Sequence, residues 1–188
     1  MGVWTSQPID SKGQDNNEID FYAGYKIKLS RDLTADFVGT YYYYPEAVGG
    51  QTHHSYELGV GGIYNLGGMS PAFKGVSTSL YYYYDFRLKA QTVQASLGYS
   101  LALTDFGTSI DVNVFAGQSA VHDFSPDVDG VATRESWTYY GIGVNIPYKL
   151  AENAQVHVGA SLSQNDKFFT DFRPHQNASV NAGVTIGF

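Results

Sequence analysis

The sequence predicts an all-β protein, an antiparallel up-and-down transmembrane β-barrel of about ten strands. Three observations predict it. The last segment, Ala178 to Phe188, carries an apolar residue on every even position and a small or polar one on every odd position. Such a strand has one dry face and one wet face, because side chains alternate across it with a period of two. The same alternation returns at roughly twenty-residue intervals with no second apolar layer for the dry faces to meet, so the dry solvent is lipid. Finally, tight links between the segments alternate with longer polar ones, as outer-membrane barrels require of their periplasmic and external ends.

Taken in order, the first segment is a short one, Val3 to Gln7. In Glu18 to Leu29 the apolar set Ile19, Phe21, Ala23, Tyr25, Ile27 and Leu29 opposes Asp20, Tyr22, Gly24, Lys26 and Lys28. Leu33 to Tyr44 places Leu33, Ala35, Phe37, Gly39, Tyr41 and Tyr43 against Thr34, Asp36, Val38, Thr40, Tyr42 and Tyr44. Similar faces follow in Tyr56 to Asn65, Val76 to Tyr84, Thr92 to Leu101, Ser109 to Gly117, Trp137 to Leu150 and Ala154 to Ser163. With the terminal segment these make ten strands, most of them near the ~9–11 residues that a tilted strand needs to cross a bilayer.

Tight links are expected at Ser30 to Asp32, Leu66 to Pro71, Thr104 to Gly107 and Ala151 to Asn153. Longer polar ones are expected at Pro8 to Asn17, Pro45 to His54, Asp85 to Ala90, Ser119 to Ser136 and Gln164 to Asn177. This ordering makes the C-terminus periplasmic and directs the even-numbered strands inward across a Gram-negative outer membrane.

Composition fits one such domain over residues 1–188. The chain has no cysteine, hence neither a disulfide frame nor a thiolate metal site. No apolar run reaches the ~18 residues of a transmembrane helix. Sixteen tyrosines, eleven phenylalanines and two tryptophans make up 15% of the chain, and many fall near strand ends. Tyr and Trp suit that level because one end of each is apolar and the other wet, which predicts an aromatic girdle. A net charge of −7 makes nucleic acid a poor partner. The expected partners are outer-membrane lipid and small solutes; no cofactor is implied, and no oligomeric state is specified.

Met1-Gly2-Val3-Trp4 opens directly in a strand with no signal peptide before it. The expectation is that Val3 to Gln7 is the remnant of a longer strand, so that the first and last strands do not close a uniform barrel and leave an open or patched edge.

Certain stretches are more specific. They are Gly2 to Ser6, with Val3, Trp4 and Thr5 between, then Asn17 to Tyr25 with its Asp20, Tyr22, Ala23, Gly24 and Tyr25, then Gly39 to Glu46 with its four tyrosines and Pro45. On these residues the chain resembles the TorF porin family. Ser79 to Asp85, Ala95 to Ser100 and the C-terminal strand are similar in a more generic way, so the likeness covers most of the chain. The resemblance implies an outer-membrane barrel acting as a porin and transfers no catalytic residue. Members of that family usually carry one further hairpin before the Trp motif, which implies ten or twelve strands in the native barrel.

Any chemistry must lie on the wet faces. The lumen candidates are Asp20, Lys26, Lys28, Asp36, Glu57, Asp111, Asn113, Asn145, Lys149, Gln155, His157 and Asn181. One reading is an internal network of paired charges and amides that fills a narrow, closed structural barrel. The other is a polar path for small solutes, near-balanced in charge and weakly cation-preferring through its carboxylates. The two tetra-tyrosine runs, Tyr41 to Tyr44 and Tyr81 to Tyr84, should each send two rings to lipid and two to the lumen, Tyr42, Tyr81 and Tyr83 among them. There they serve as girdle and plug, or as a solute-guiding mouth.

Enzyme-like constellations are weak. His157, Ser161 and Ser163 share one strand face, but His157 to Ser161 spans roughly 13 Å along a strand, too far for a nucleophile and its base. His53-His54 and the cluster of Asp123, Asp127, Asp129 and Gly130 are of types that bind a divalent cation in external loops, but the acidic loop lacks the bidentate Glu of a calcium loop, so a solvated loop and no metal site is expected. A third class, a surface-binding module, rests on Phe124, Phe168, Phe169 and Phe172 in the external loops, suited to a protein partner or lipopolysaccharide.

Overall fold

The computed structural model describes residues 1–8, 17–45, 53–123, 134–166 and 175–187. Ten antiparallel strands form one closed barrel in which each strand pairs with its sequence neighbours and the first pairs with the last. They are β1 Gly2–Pro8, β2 Glu18–Lys28, β3 Leu33–Tyr43, β4 His54–Asn65, β5 Val76–Asp85, β6 Ala90–Leu103, β7 Thr108–Val121, β8 Glu135–Ala151, β9 Ala154–Asn165 and β10 His175–Ile186. The fold class and strand count match the sequence expectation.

Burial is inverted relative to a water-soluble protein. Among the described residues the only buried hydrophobic side chains are Ala90 and Val121, whereas Tyr25, Leu58, Leu80 and Leu162 are 58–70% exposed on the outward face. The buried polar residues, Asp20, Asp36, Ser55, Asp85 and Ser119, point the other way. An apolar outer surface around a polar interior is stable only where the outside solvent is hydrocarbon, and a closed ladder satisfies most of the backbone groups there.

Several strands run further than apolar alternation predicts. The ladder β6 to β7 extends from Ala90↔Val121 to Leu103↔Thr108. Pairing needs only backbone groups, so it continues past the segments that alternation picks out; on the lumen face of this ladder the Thr92 and Ser119 hydroxyls lie 2.8 Å apart.

Two links depart from the expected lengths. The link between β4 and β5 spans residues 66–75 and contains two 3-10 turns, Leu66–Gly68 and Pro71–Phe73, started by the Asn65 and Ser70 side chains. The link between β5 and β6, expected to be long, is residues 86–89 only. It is short because Asp85 ties it: Oδ1 accepts from the backbone N–H of Arg87 at 2.9 Å and of Leu88 at 2.8 Å, while Ser55 Oγ donates to Oδ2 at 2.5 Å. Link length therefore does not alternate strictly at this hairpin.

The expectation for the seam is corrected where β1 meets β10 and met where β1 meets β2. β1 pairs with β10 from Gly2↔Thr185 to Pro8↔Ser179, and Met1 and Ile186 exchange backbone hydrogen bonds beyond that. Seven pairs at ~3.4 Å per residue zip about 24 Å of seam. On its other edge β1 pairs only Gly2↔Tyr22 to Ser6↔Glu18, so Ala23 to Lys28 of β2 are laddered on the β3 side alone among the described residues.

Candidate solute pathway and its acidic chamber

Register decides which side chains meet inside the barrel. On the inward face β2 offers Glu18, Asp20, Tyr22, Lys26 and Lys28, and β3 offers Asp36 opposite Lys26, Thr40 opposite Tyr22 and Tyr42 opposite Asp20. β4 presents Glu57 across from Thr40, and β5 presents Asp85, Tyr83 and Tyr81 across from Glu57, Gly59 and Gly61. That these residues face inward is fixed by bonds that skip a strand: Tyr81 Oη on β5 donates to Asp36 Oδ2 on β3 at 2.7 Å, and Tyr139 Oη on β8 donates to Gln94 Oε1 on β6 at 2.9 Å. Each bond passes over the intervening strand on its inner face, above Gly61 of β4 and Gly117 of β7.

Two cavities lie in series. The upper one, about 880 Å³, is bounded by Trp4, Glu18, Asp20, Tyr42, Glu57, Tyr83 and Tyr139 among others, with His157 at its wall. The lower one, about 370 Å³, is bounded by serines, Tyr81, Asp111, Asn113 and Asn145. Tyr139 and its partner Gln94 line the upper cavity, and Tyr81 lines the lower one.

Aromatic rings leave the chambers open because glycines make room for them at the wall. A β-carbon at Gly59 would meet Tyr83 Cδ1 at 2.5 Å, and one at Gly61 would strike the Tyr81 ring. The two rings occupy the space those side chains would fill, with centroids 5.5 Å apart and planes within 8° of parallel. Tyr139 covers Gly117 in the same way. Cross-strand aromatic and glycine pairing of this kind restores packing that a strand glycine lacks.

The charges are separated along the barrel. Glu18, Asp20, Glu57 and Asp85 all fall within three residues of one end of β2, β4 or β5, whereas Lys26, Lys28 and Lys149 lie within two residues of the opposite end of β2 or β8. The described lining of the upper chamber includes no lysine or arginine. Lys26 pairs with Asp36 at 3.7 Å, with its own side chain 66% exposed. Asp111 accepts from Ser100 Oγ at 2.6 Å and Ser109 Oγ at 2.8 Å. The lumen is thus polarised along its axis, not ringed by balanced charge.

A family model matches residues 1–187. The chain belongs to the Gcw_chp family. That family is described as bacterial protein of unknown function. Among curated proteins, none matches the sequence. Among solved structures, the chain is similar over its whole length to the NanC porin, at 10% identity, 99% coverage of that chain and a TM-score of 0.53. It also aligns over 100% of its length with Neisserial surface protein A, at 16% identity, 94% coverage and a TM-score of 0.48, and with the KdgM porin, at 11%, 99% and 0.45. At these identities the likeness concerns the fold: a closed up-and-down barrel of the outer-membrane type.

In this Gcw_chp barrel the remaining sequence candidates distribute as follows. Ser161 Oγ lies 2.7 Å from Ser179 Oγ on β10, and the His157 ring covers Gly183, so neither is turned to the other. His54 stacks on Tyr41 with centroids 5.9 Å apart, and Asp123 pairs with Lys89 at 3.6 Å. Among the described residues no three His, Asp or Glu side chains converge to hold a metal ion. Asp127, Asp129, Gly130, Phe124, Phe168, Phe169 and Phe172 lie outside the described residues. The tyrosine runs divide as their parity requires: Tyr42 Oη donates to Glu57 Oε1 at 2.8 Å inside, while Tyr41, Tyr43 and Tyr82 are exposed outside. The chamber also holds groups that the sequence reading left off its lumen set, namely Glu18, Trp4, Gln94 and Tyr139. Glu18 shares the parity of Asp20, and that signal was sufficient to find it.

Proposed function

We propose that this protein is an outer-membrane porin that passes small polar solutes with a preference for cations, its C-terminus on the periplasmic side. The observation that carries the reading is the pair of cavities in series, the upper one lined by carboxylates with no lysine or arginine among its described lining. Carboxylates in a space screened poorly by water attract cations and repel anions. The resemblance to the TorF porin family supports the same reading, as does the NanC-like fold.

A closed structural barrel is the second reading, favoured by the two hydrogen bonds that tie lumen side chains to one another over β4 and β7. Conductance of the refolded protein in planar bilayers decides between them. The porin reading expects discrete channel openings in the wild type, and larger ones in the double variant Tyr81→Ser with Tyr139→Ser, which removes one ring from each cavity. A wild type that stays silent while the double variant conducts would assign the molecule to the closed class.

A further inference from the structure

We propose that the upper chamber contains a subsite for organic cations that carry N–H donors, a primary ammonium or a guanidinium, with Asp20 as its principal acceptor. This deepens the porin reading and rests on it for how the solute reaches the site. Asp20 is 7% exposed and lines the chamber, and its Oδ1, turned into the wall, has no hydrogen-bond partner. A buried acceptor left without a donor is costly, and a carboxylate that turned this oxygen toward a donor in the cavity would be relieved of that cost. Its neighbours are acidic: Glu18 shares a side-chain hydrogen bond with it, and Glu57 faces the same cavity. The Glu57 Oε1 atom already takes the Tyr42 hydroxyl at 2.8 Å. A ligand that brings both positive charge and N–H donors pairs with the Asp20 carboxylate and offsets the crowding of acids around it.

The rest of the lining selects the kind of cation. No metal-holding group of three forms among the described residues, so the cavity does not suit a bare chelated ion. Register places Trp4 directly across the ladder from Asp20, and Tyr83 and Tyr139 line the same space. Indole and phenol faces attract ammonium and guanidinium groups by their quadrupoles, Trp most strongly. At about 880 Å³ the chamber has room for a ligand of several carbons together with water.

The test is calorimetric binding to the purified full chain in detergent micelles, with two dications as probes. Agmatine carries a guanidinium and a primary ammonium; hexamethonium carries the same charge on quaternary nitrogens without N–H. Agmatine should bind at least about tenfold more tightly, since charge-assisted hydrogen bonds to a carboxylate are open to it alone. Asp20→Asn should weaken agmatine by about ten- to a hundredfold, and Glu57→Gln by less. Equal binding of the two probes to wild type, or agmatine affinity unmoved in Asp20→Asn, would overturn the proposal. Should Asp20→Asn fail to refold, the wild-type comparison of the two probes decides alone. Silent bilayers with agmatine binding intact would support the subsite and remove the porin reading, whereas a conducting barrel that ignores agmatine would sink the subsite alone.

Discussion

An arginine in place of Val144 is expected to destabilise the barrel by about 2–4 kcal/mol, and one in place of Asn145 by much less. The two positions are adjacent in β8, yet they face different solvents. Val144 points outward, 39% exposed, beside Val112 and Ala160 of the flanking strands, where an arginine would enter hydrocarbon. Asn145 points into the lower chamber and sits across the ladder from Asp111, which would pair with the new guanidinium. Denaturant titration of both variants refolded into lipid measures the difference. Equal losses would contradict the assignment of faces.

Valine at Gly59 or Gly61 is the second large effect. The β-branched side chain would collide with the body of the Tyr83 or Tyr81 ring, not with a flexible tip, so the ring must leave its place at the wall. Overpacking of this kind costs about 1–3 kcal/mol. It also drives a phenol into the lumen, so the upper chamber should shrink when Tyr83 moves and the lower when Tyr81 does, and conductance should fall. Gly62 supplies the control: its added β-carbon would meet nothing within 4 Å, and valine there should leave both stability and conductance near wild type. If Gly59→Val and Gly62→Val behaved alike, the wall packing described here would be wrong.

Much of this architecture could be read from parity alone. A period of two is so stringent that Val144 and Asn145, or Tyr41 and Tyr42, are sorted to opposite faces without any knowledge of neighbours. Closure follows from the same reading, because open strand edges are not tolerated in hydrocarbon. The seam was the exception. The short segment Val3 to Gln7 looked too small to close a barrel, but the strand runs from Gly2 to Pro8 and zips onto β10 over its full length. The short β5 to β6 turn was missed for a local reason: Asp85 reads as the polar start of a loop, whereas its carboxylate holds the turn closed.

The site was less legible, since parity tells which face a residue is on and says nothing of its height along the barrel axis. Counted together, Asp20, Asp36, Glu57 and Asp111 against Lys26, Lys28 and Lys149 look like near balance. Once register is known, the acids of β2 and β4 gather at one end and the lysines at the other. The accommodation of Tyr83 by Gly59 is equally hidden, because residues distant in sequence become neighbours only through the β4 to β5 pairing. Asp20 itself was found, but that one of its oxygens is buried without a donor depends on the packing around it.

The central claim is that the carboxylates of the upper chamber set what the barrel passes, and the reversal potential across a salt gradient tests it most directly. Wild type should reverse on the cation-selective side. The pair Asp20→Asn with Glu57→Gln should move the reversal potential toward anions. Asp36→Asn with Asp111→Asn should move it less, because Lys26 already pairs with Asp36 and two serines already hold Asp111. An anion-selective wild type, or a reversal potential unmoved by loss of the upper carboxylates, would contradict the account.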